Sequence, residues 1–101
     1  MDEEVREDPD RSRYTITVDG EPAGFTSYRR GDDVTDFVHT QIDDRFEGQG
    51  LAGRLIAAAL DDQRRRGLQV LPHCPFVEHY IAKHHEYADL VPADRRSDFD
   101  L

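Results

Sequence analysis

Arg45-Phe46-Glu47-Gly48-Gln49-Gly50-Leu51-Ala52-Gly53-Arg54-Leu55 carries a basic residue into a double-glycine turn that opens directly onto an apolar helical repeat. Gly48 and Gly50 can take backbone angles closed to other residues and, having no side chains, let a ligand come close to the main chain. The first amides of the helix that follows have no intrahelical partners, and the helix dipole adds partial positive charge there. A pyrophosphate is the natural guest of such a turn.

Three glycine-loop patterns compete for this stretch. Gly48, Gly50 and Gly53 spell G-x-G-x-x-G, yet that fingerprint follows its strand at once and meets an acid about 20 positions later on the next strand. Here Asp43 to Glu47 intervene, and the next strand candidate, Gln69-Val70-Leu71, holds no acid. A P-loop needs Lys-Ser or Lys-Thr after its second glycine, and neither pair occurs in the chain. What fits is Arg-x-x-Gly-x-Gly followed by Leu51 and Leu55, set against the plainer reading of a glycine turn that caps an ordinary helix.

The 101 residues suffice for one domain with a modest core and are too few for a two-half dinucleotide fold. The formal net charge is −9, and Lys83 is the single lysine among 13 Lys and Arg. Such a surface repels phosphate backbones, which argues against nucleic acid as a partner, and attracts cationic substrates. Met1 to Asp10 holds no apolar signal core, and no window approaches the ~20 apolar residues of a membrane span. A soluble, cytoplasmic protein is expected, and the lone Cys74 fits a reducing compartment.

Along the chain, Met1 to Ser12 reads as a frayed acidic arm. Tyr14 to Val18 alternates as a strand, Asp19-Gly20 supplies a hairpin turn, and Ala23 to Arg29 returns as the partner. Arg30 to Asp33 makes the next turn, and Val34 to Ile42 has the β-branched content of a third strand. Leu51, Leu55, Ile56, Ala59 and Leu60 form one stripe of a helix over 51–66, with Arg64 to Arg66 at its carboxyl end and Gly67 as its stop. Leu68 to Leu71 is a short buried strand, and Pro75 opens a second helix to about His84, with Phe76, Val77 and Ile81 in the core. Residues 13–91 thus make the domain, and 92–101 a charged, loose tail. The fold class is α/β (α+β): an antiparallel β-meander, then helix, strand and helix.

Three segments add specificity: Val38-His39-Thr40-Gln41-Ile42 before the loop, Glu47-Gly48-Gln49-Gly50-Leu51-Ala52 within it, and Cys74-Pro75-Phe76-Val77 through Tyr80 to His85-Glu86-Tyr87 after it. Together they resemble the GNAT superfamily of N-acetyltransferases, and more specifically its very small standalone members, over about residues 12 to 91. The resemblance implies a minimal GNAT fold and acetyl-CoA as cofactor, held by Thr40, Gln41, Ile42, Arg45, Gly48, Gln49, Gly50, Leu51, Ala52 and Gly53. It implies that the strand carrying His39 lies along the acyl-pantetheine arm, and that Tyr80 stands close to where many such enzymes place a tyrosine that protonates the departing thiolate. The early helices that usually wall the acceptor site are missing, so the acceptor groove is expected to be open.

The chemistry can be weighed independently. Acetyl transfer to an amine needs the neutral amine, and one with a pKa near ~10.4 is about one part in a thousand neutral at pH 7, a deficit of roughly 4 to 5 kcal/mol. His39 is the leading base, since its unperturbed pKa is about 6.5; a histidine hydrogen-bonded within the sheet is the alternative. Cys74 falls at a helix amino terminus, and three roles stay open: acyl acceptor in a two-step reaction, lining of the thioester site, or a buried small hydrophobe. Tyr80 serves either the leaving thiolate or aromatic packing. Arg45 pairs with a phosphate or with Asp43 and Asp44, and Gln49 contributes its backbone amide. His79, His84 and His85 come with no second cysteine and no His-Glu-x-x-His, so no metal is expected.

The function expected is acetyl-CoA-dependent N-acetyl transfer to an amine, which a basic peptide, a polyamine, a lysine side chain or a neutral small amine would each satisfy. A non-catalytic acyl-CoA-binding module and a protein-interaction domain are the rivals, since both follow from missing acceptor walls.

Overall fold

The computed structural model describes residues 2–101. Five strands form one sheet in the order β1 (Glu3–Asp8), β2 (Arg13–Val18), β3 (Glu21–Arg30), β4 (Val34–Ile42), β5 (Gln69–Pro72). The first four pair antiparallel and β5 runs parallel to β4. The β2–β3 hairpin closes through Asp19 at φ 51° and Gly20 at φ 85°. Two successive left-handed residues give the turn whose twist matches that of paired strands.

Alternation decides which face is buried. Tyr14, Ile16 and Val18 of β2 point inward, with Thr26 and Tyr28 of β3 and Thr35, Phe37 and Thr40 of β4. In β4 the count is broken once. Tyr28 sits opposite Phe37 and Ser27 opposite His39, so Val38 is an extra, bulged residue. The bulge shifts the alternation, turning Thr40 inward and His39 outward.

Helix α1 (Leu51–Arg66) buries Leu51, Leu55, Ile56, Ala59, Leu60 and Gln63 as a single stripe against the sheet. It ends at Gly67, whose left-handed backbone (φ 71°) lets its N–H bond the carbonyls of Gln63 and Arg64. α1 thereby serves as the crossover that parallel β4 and β5 require. Helix α2 (Pro75–Lys83) packs beside it against β4 and β5, burying Val77 and Ile81. Full burial of side chains such as Phe37, Ile16, Leu55, Leu60 and Ile81 contributes about 1.5–3 kcal/mol each.

Three expectations need correction. Met1 lies outside the described residues, but the rest of the expected arm contains β1, paired with β2 from Glu3 opposite Val18 to Asp8 opposite Arg13. Its acids hide the strand signal because their partners are distant in sequence. Glu7 accepts hydrogen bonds from Tyr28, from Arg30 at 2.8 Å and from Arg66, while Glu3 pairs with Arg54. The expected loose tail is a 3-10 segment (Ala93–Phe99) that buries Phe99 edge-on to His73 at 5.0 Å. Arg96 ties it down by donating to the Val91 carbonyl at 3.1 Å. Phe76, expected in the core, is 54% exposed, because it lies on the side of α2 that faces away from the sheet interior and toward the glycine turn.

Candidate functional site

β4 and β5 part company halfway. Their pairing runs only from Val34 opposite Gln69 to Phe37 opposite Pro72, and the Cys74 N–H then donates to the Phe37 carbonyl at 2.8 Å. Beyond that point β4 continues five residues further, through Ile42, with β3 on one side and a wedge-shaped gap on the other. The Asp43 N–H donates to Ala23 at 2.8 Å across β3. Two-residue alternation therefore turns the amides of Gln41 and His39 toward β3, and those of Thr40 and Ile42 into the gap.

The glycine turn stands at the open end of this gap. Asp43 starts it by accepting from the Arg45 N–H at 3.0 Å, and a 3-10 turn (Asp44–Phe46) follows. Gly48 (φ 80°) and Gly50 (φ 74°) are left-handed, and a Cβ at either would meet nothing within 4 Å. The space in front of both is open, and the first-turn amides of Leu51, Ala52 and Gly53 have no intrahelical carbonyl to bond. Ile42, Phe46, Glu47, Gly48, Gly50, Leu51, Ala52 and Phe76 enclose a cleft of about 340 Å³. An apolar floor beside an amide-rich, glycine-bare rim suits a pantetheine arm followed by a pyrophosphate.

Five of the ten expected binding residues therefore line one cleft: Ile42, Gly48, Gly50, Leu51 and Ala52. Thr40 is buried against Thr26 and Cys74, and Gln49 is exposed between the two left-handed glycines. Gln41 projects on the other face of the sheet, its Oε1 3.4 Å from His39 Nε2. Arg45 is exposed and ion-paired with Asp43 at 3.3 Å and Glu21 at 3.6 Å. Its amide and side chain together hold the Asp43 carboxyl below the usual carboxylate range. At Gly53 a Cβ would stand 3.6 Å from the Tyr80 ring, so this glycine serves helix packing while its amide stays in the first turn. Sequence reasoning missed Phe46, Glu47 and Phe76 as cleft residues. The only available signal for Phe76 was its place in the first turn of α2, directly after the strand that diverges.

The three catalytic candidates occupy separate places. His39 is exposed on the helix-free face of the sheet, its ring 5.8 Å from that of Phe25. Beside it lies a groove of about 200 Å³ whose lining includes Arg13, Phe25, Gln41 and Asp43, with the Arg13 guanidinium 4.6 Å from the Phe25 ring centre. Cys74 is 1% exposed at the amino end of α2. Its Sγ lies 3.1 Å from Thr40 Oγ1, which is in turn 2.9 Å from Thr26 Oγ1. Cys74 and Thr40 thus meet where β4 and β5 diverge. Tyr80 lies beyond Gly53, stacked on His84 at 4.1 Å and tilted against Tyr87 at 5.9 Å. Burial first, then the charges of Glu86 and Asp61, push its phenol up from the ordinary value, which keeps it protonated.

Comparison with known proteins agrees with this geometry. A family model described as GCN5-related N-acetyl-transferase matches residues 13–90. Protein NATD1 of Gallus gallus is 28% identical over 80 residues, covering 77% of this chain and 73% of its own. Among solved structures, the NMR solution structure of a GCN5-like protein from Staphylococcus aureus superposes with a TM-score of 0.67 at 23% identity, over 88% of this chain and 87% of that one. Ard1 of Thermoplasma volcanium gives a TM-score of 0.52 at 24% identity over 58% of this chain and 41% of its own. These two likenesses bear on fold, and the family model bears on kinship: the chain belongs to the GCN5-related N-acetyl-transferase family.

Proposed function

We propose that this protein is an acetyl-CoA-dependent N-acetyltransferase that delivers the acetyl group to an amine. The observation that carries the reading is the gap beside β4 opening directly onto the Gly48–Gly50 turn, an amide-lined edge continuous with an anion cradle. Acetyl-CoA supplies the activated carbonyl and a thiol leaving group. The protein supplies position, hydrogen-bond donors and a base.

In this reading the amides of Thr40 and Ile42 favour negative charge on an oxygen set against them, a contribution worth several kcal/mol where such donors are prearranged. His39 removes the amine proton, directly or through water, from the helix-free face of the sheet. Cys74, buried against Thr40, lines the thioester site. Tyr80 is assigned the proton donor to the leaving thiolate because its ring stands against the first turn of α1, 3.6 Å from where a Cβ on Gly53 would lie.

The deciding experiment is calorimetric titration with acetyl-CoA, with Gly50→Val as control, followed by turnover on an amine panel. Micromolar binding lost in the variant, with turnover on at least one amine, supports the proposal. Binding without turnover on any amine supports the rival binding module, and no binding to folded protein ends the donor reading. For the residues, His39→Gln is expected to lower kcat/KM about 10²-fold or more at pH 7, with loss of the rise in rate with pH. A flat ratio to wild type between about pH 6 and 9 removes the base role. Tyr80→Phe separates a donor from a packing ring by a large or a small change in kcat.

A further inference from the structure

The helix-free face of the sheet carries side chains that the donor chemistry leaves unused. Register sets Arg13 of β2 opposite Ser27 of β3 and Ser27 opposite His39 of β4, with Thr15, Phe25 and Gln41 forming the next row. The Phe25 ring joins the two rows, 5.8 Å from the His39 ring and 4.6 Å from the Arg13 guanidinium carbon. Arg13, Thr15, Phe25, Gln41 and Asp43 line the groove of about 200 Å³ that lies beside His39. That volume is less than a drug-sized ligand fills and leaves room for a molecule the size of one amino acid.

Arg13 is the residue of this groove that folding does not explain. Its Nε is buried without a hydrogen-bond partner, and a buried donor left unpaired is a standing cost to the fold. Asp8 stands opposite it in the β1 register, yet that carboxylate pairs with Arg11, at 3.7 Å, and Arg13 makes no ion pair among the described residues. Contact with the Phe25 ring uses no oxygen acceptor, so the planar fork of N–H donors keeps its capacity for a carboxylate. The backbones under Arg13 and His39 are two strand spacings apart, about 10 Å. Both side chains reach Phe25, so a small molecule laid on that ring meets both. Two residues beyond Gln41, Asp43 repels an anion from its part of the groove and leaves it to the Arg13 end.

Resting on the acetyltransferase reading above, we infer that this groove takes the acceptor and that the acceptor is a free α-amino acid, with its carboxylate on Arg13, its amine at His39 and its side chain over Phe25 and Gln41. Polyamines and lysine side chains within a protein fall outside the class, because they offer Arg13 no carboxylate, even though the net charge of −9 draws cations to the surface as a whole. In the reaction the amine lone pair forms the new N–C bond as the C–S bond of the thioester breaks. His39 takes the proton that the amine loses, and the sulfur leaves with the electron pair of the C–S bond and then takes up a proton.

The test compares kcat/KM on the full chain for free amino acids, each paired with its own carboxamide, at saturating acetyl-CoA. The acids should be used at least about tenfold better than their amides, the scale of one charge-assisted, two-pronged hydrogen bond. Intrinsic reactivity runs the other way, since the amide's amine is the less basic and so the more neutral at pH 7. Arg13→Gln should lower the ratio of acid to amide by about tenfold or more, and Arg13→Lys should restore part of it, because lysine keeps the charge and loses the fork. A purely structural arginine would change the rates on acids and amides alike and leave their ratio where it was. A second readout needs no turnover: the Arg13 Nε–H resonance should shift on titration with leucine and not with leucinamide. Acids and amides used equally by the wild type, a ratio that survives Arg13→Gln, or a resonance that leucine leaves unmoved overturns the inference while the acetyltransferase reading stands. No turnover on any amine sinks the acetyltransferase reading itself, and with it the acceptor role of the groove.

Discussion

At the scale of single residues, Gly24 is the position where one added carbon does most harm. A Cβ there would lie 2.5 Å from Ile42 Cδ1 and 2.6 Å from the Gln41 carbonyl oxygen, the second of which belongs to the backbone and cannot swing away. Gly24→Ala is expected to destabilise the fold by about 1–3 kcal/mol and to shift Ile42 out of the cleft floor. Urea denaturation and donor titration of the same variant check both effects; an unchanged midpoint would contradict the clash. Much at this scale was legible in the sequence and some was not. Gly48 and Gly50 announce their left-handed angles by being glycine before a helix. The outward aim of His39 does not, because it depends on the bulge at Val38, and nothing in Phe37-Val38-His39-Thr40 says which residue will be skipped.

At the scale of elements, β1 is held as much by charge as by burial. Its inward row is Glu3, Val5 and Glu7, and Glu7 meets Tyr28, Arg30 and Arg66 across the sheet and α1. Burial works to raise the Glu7 pKa, but the hydrogen bonds from Tyr28 and Arg30, and the charges of Arg30 and Arg66, outweigh it and hold the carboxyl low. The same balance depresses Asp62, where burial is outweighed by the Tyr14 bond and by Arg66 and Arg65. A depressed carboxyl stabilises the fold fully above its unfolded pKa, near ~4.3 for Glu, and loses that contribution as pH falls through the folded value. Stability should thus fall at acid pH, and Glu7→Gln should cost about 1–2 kcal/mol at pH 7 and less below pH ~4. An equal cost at both pH values would show that shape, not charge, holds β1. Such a strand escapes a sequence reading because six residues with four acids lack the apolar alternation that marks a sheet, and the compensating arginines lie more than twenty positions away. β4 offers a second test. The amides of Thr40 and Ile42 should exchange with solvent faster than those of His39 and Gln41 in the free protein, and slow selectively when donor binds. Uniform exchange along 39–42 would mean that the gap edge is already paired.

At the scale of the whole molecule, the architecture was the most legible part. The Asp19-Gly20 turn, the α1 stripe and the Gly67 stop are local signals, and each specifies its element without help from the rest. The divergence of β4 from β5 is not local. It follows from β5 being only four residues long beside a nine-residue neighbour, and from Cys74 and Pro75 turning the chain into α2 where further pairing would have continued. Both helices lie on one face of the sheet, so the cleft at the glycine turn opens at an edge while the groove beside His39 opens on the opposite face.

That separation has a kinetic consequence. On the proposed function, an acyl donor and an amine that enter through different doors do not obstruct one another, so neither has to wait for the other to arrive or leave. Initial-rate plots should intersect, as they do when both substrates are present together, and either substrate should bind the free protein. Parallel lines would instead require the acetyl group to rest on the enzyme between visits, a role that Cys74, at 1% exposure, is poorly placed to fill.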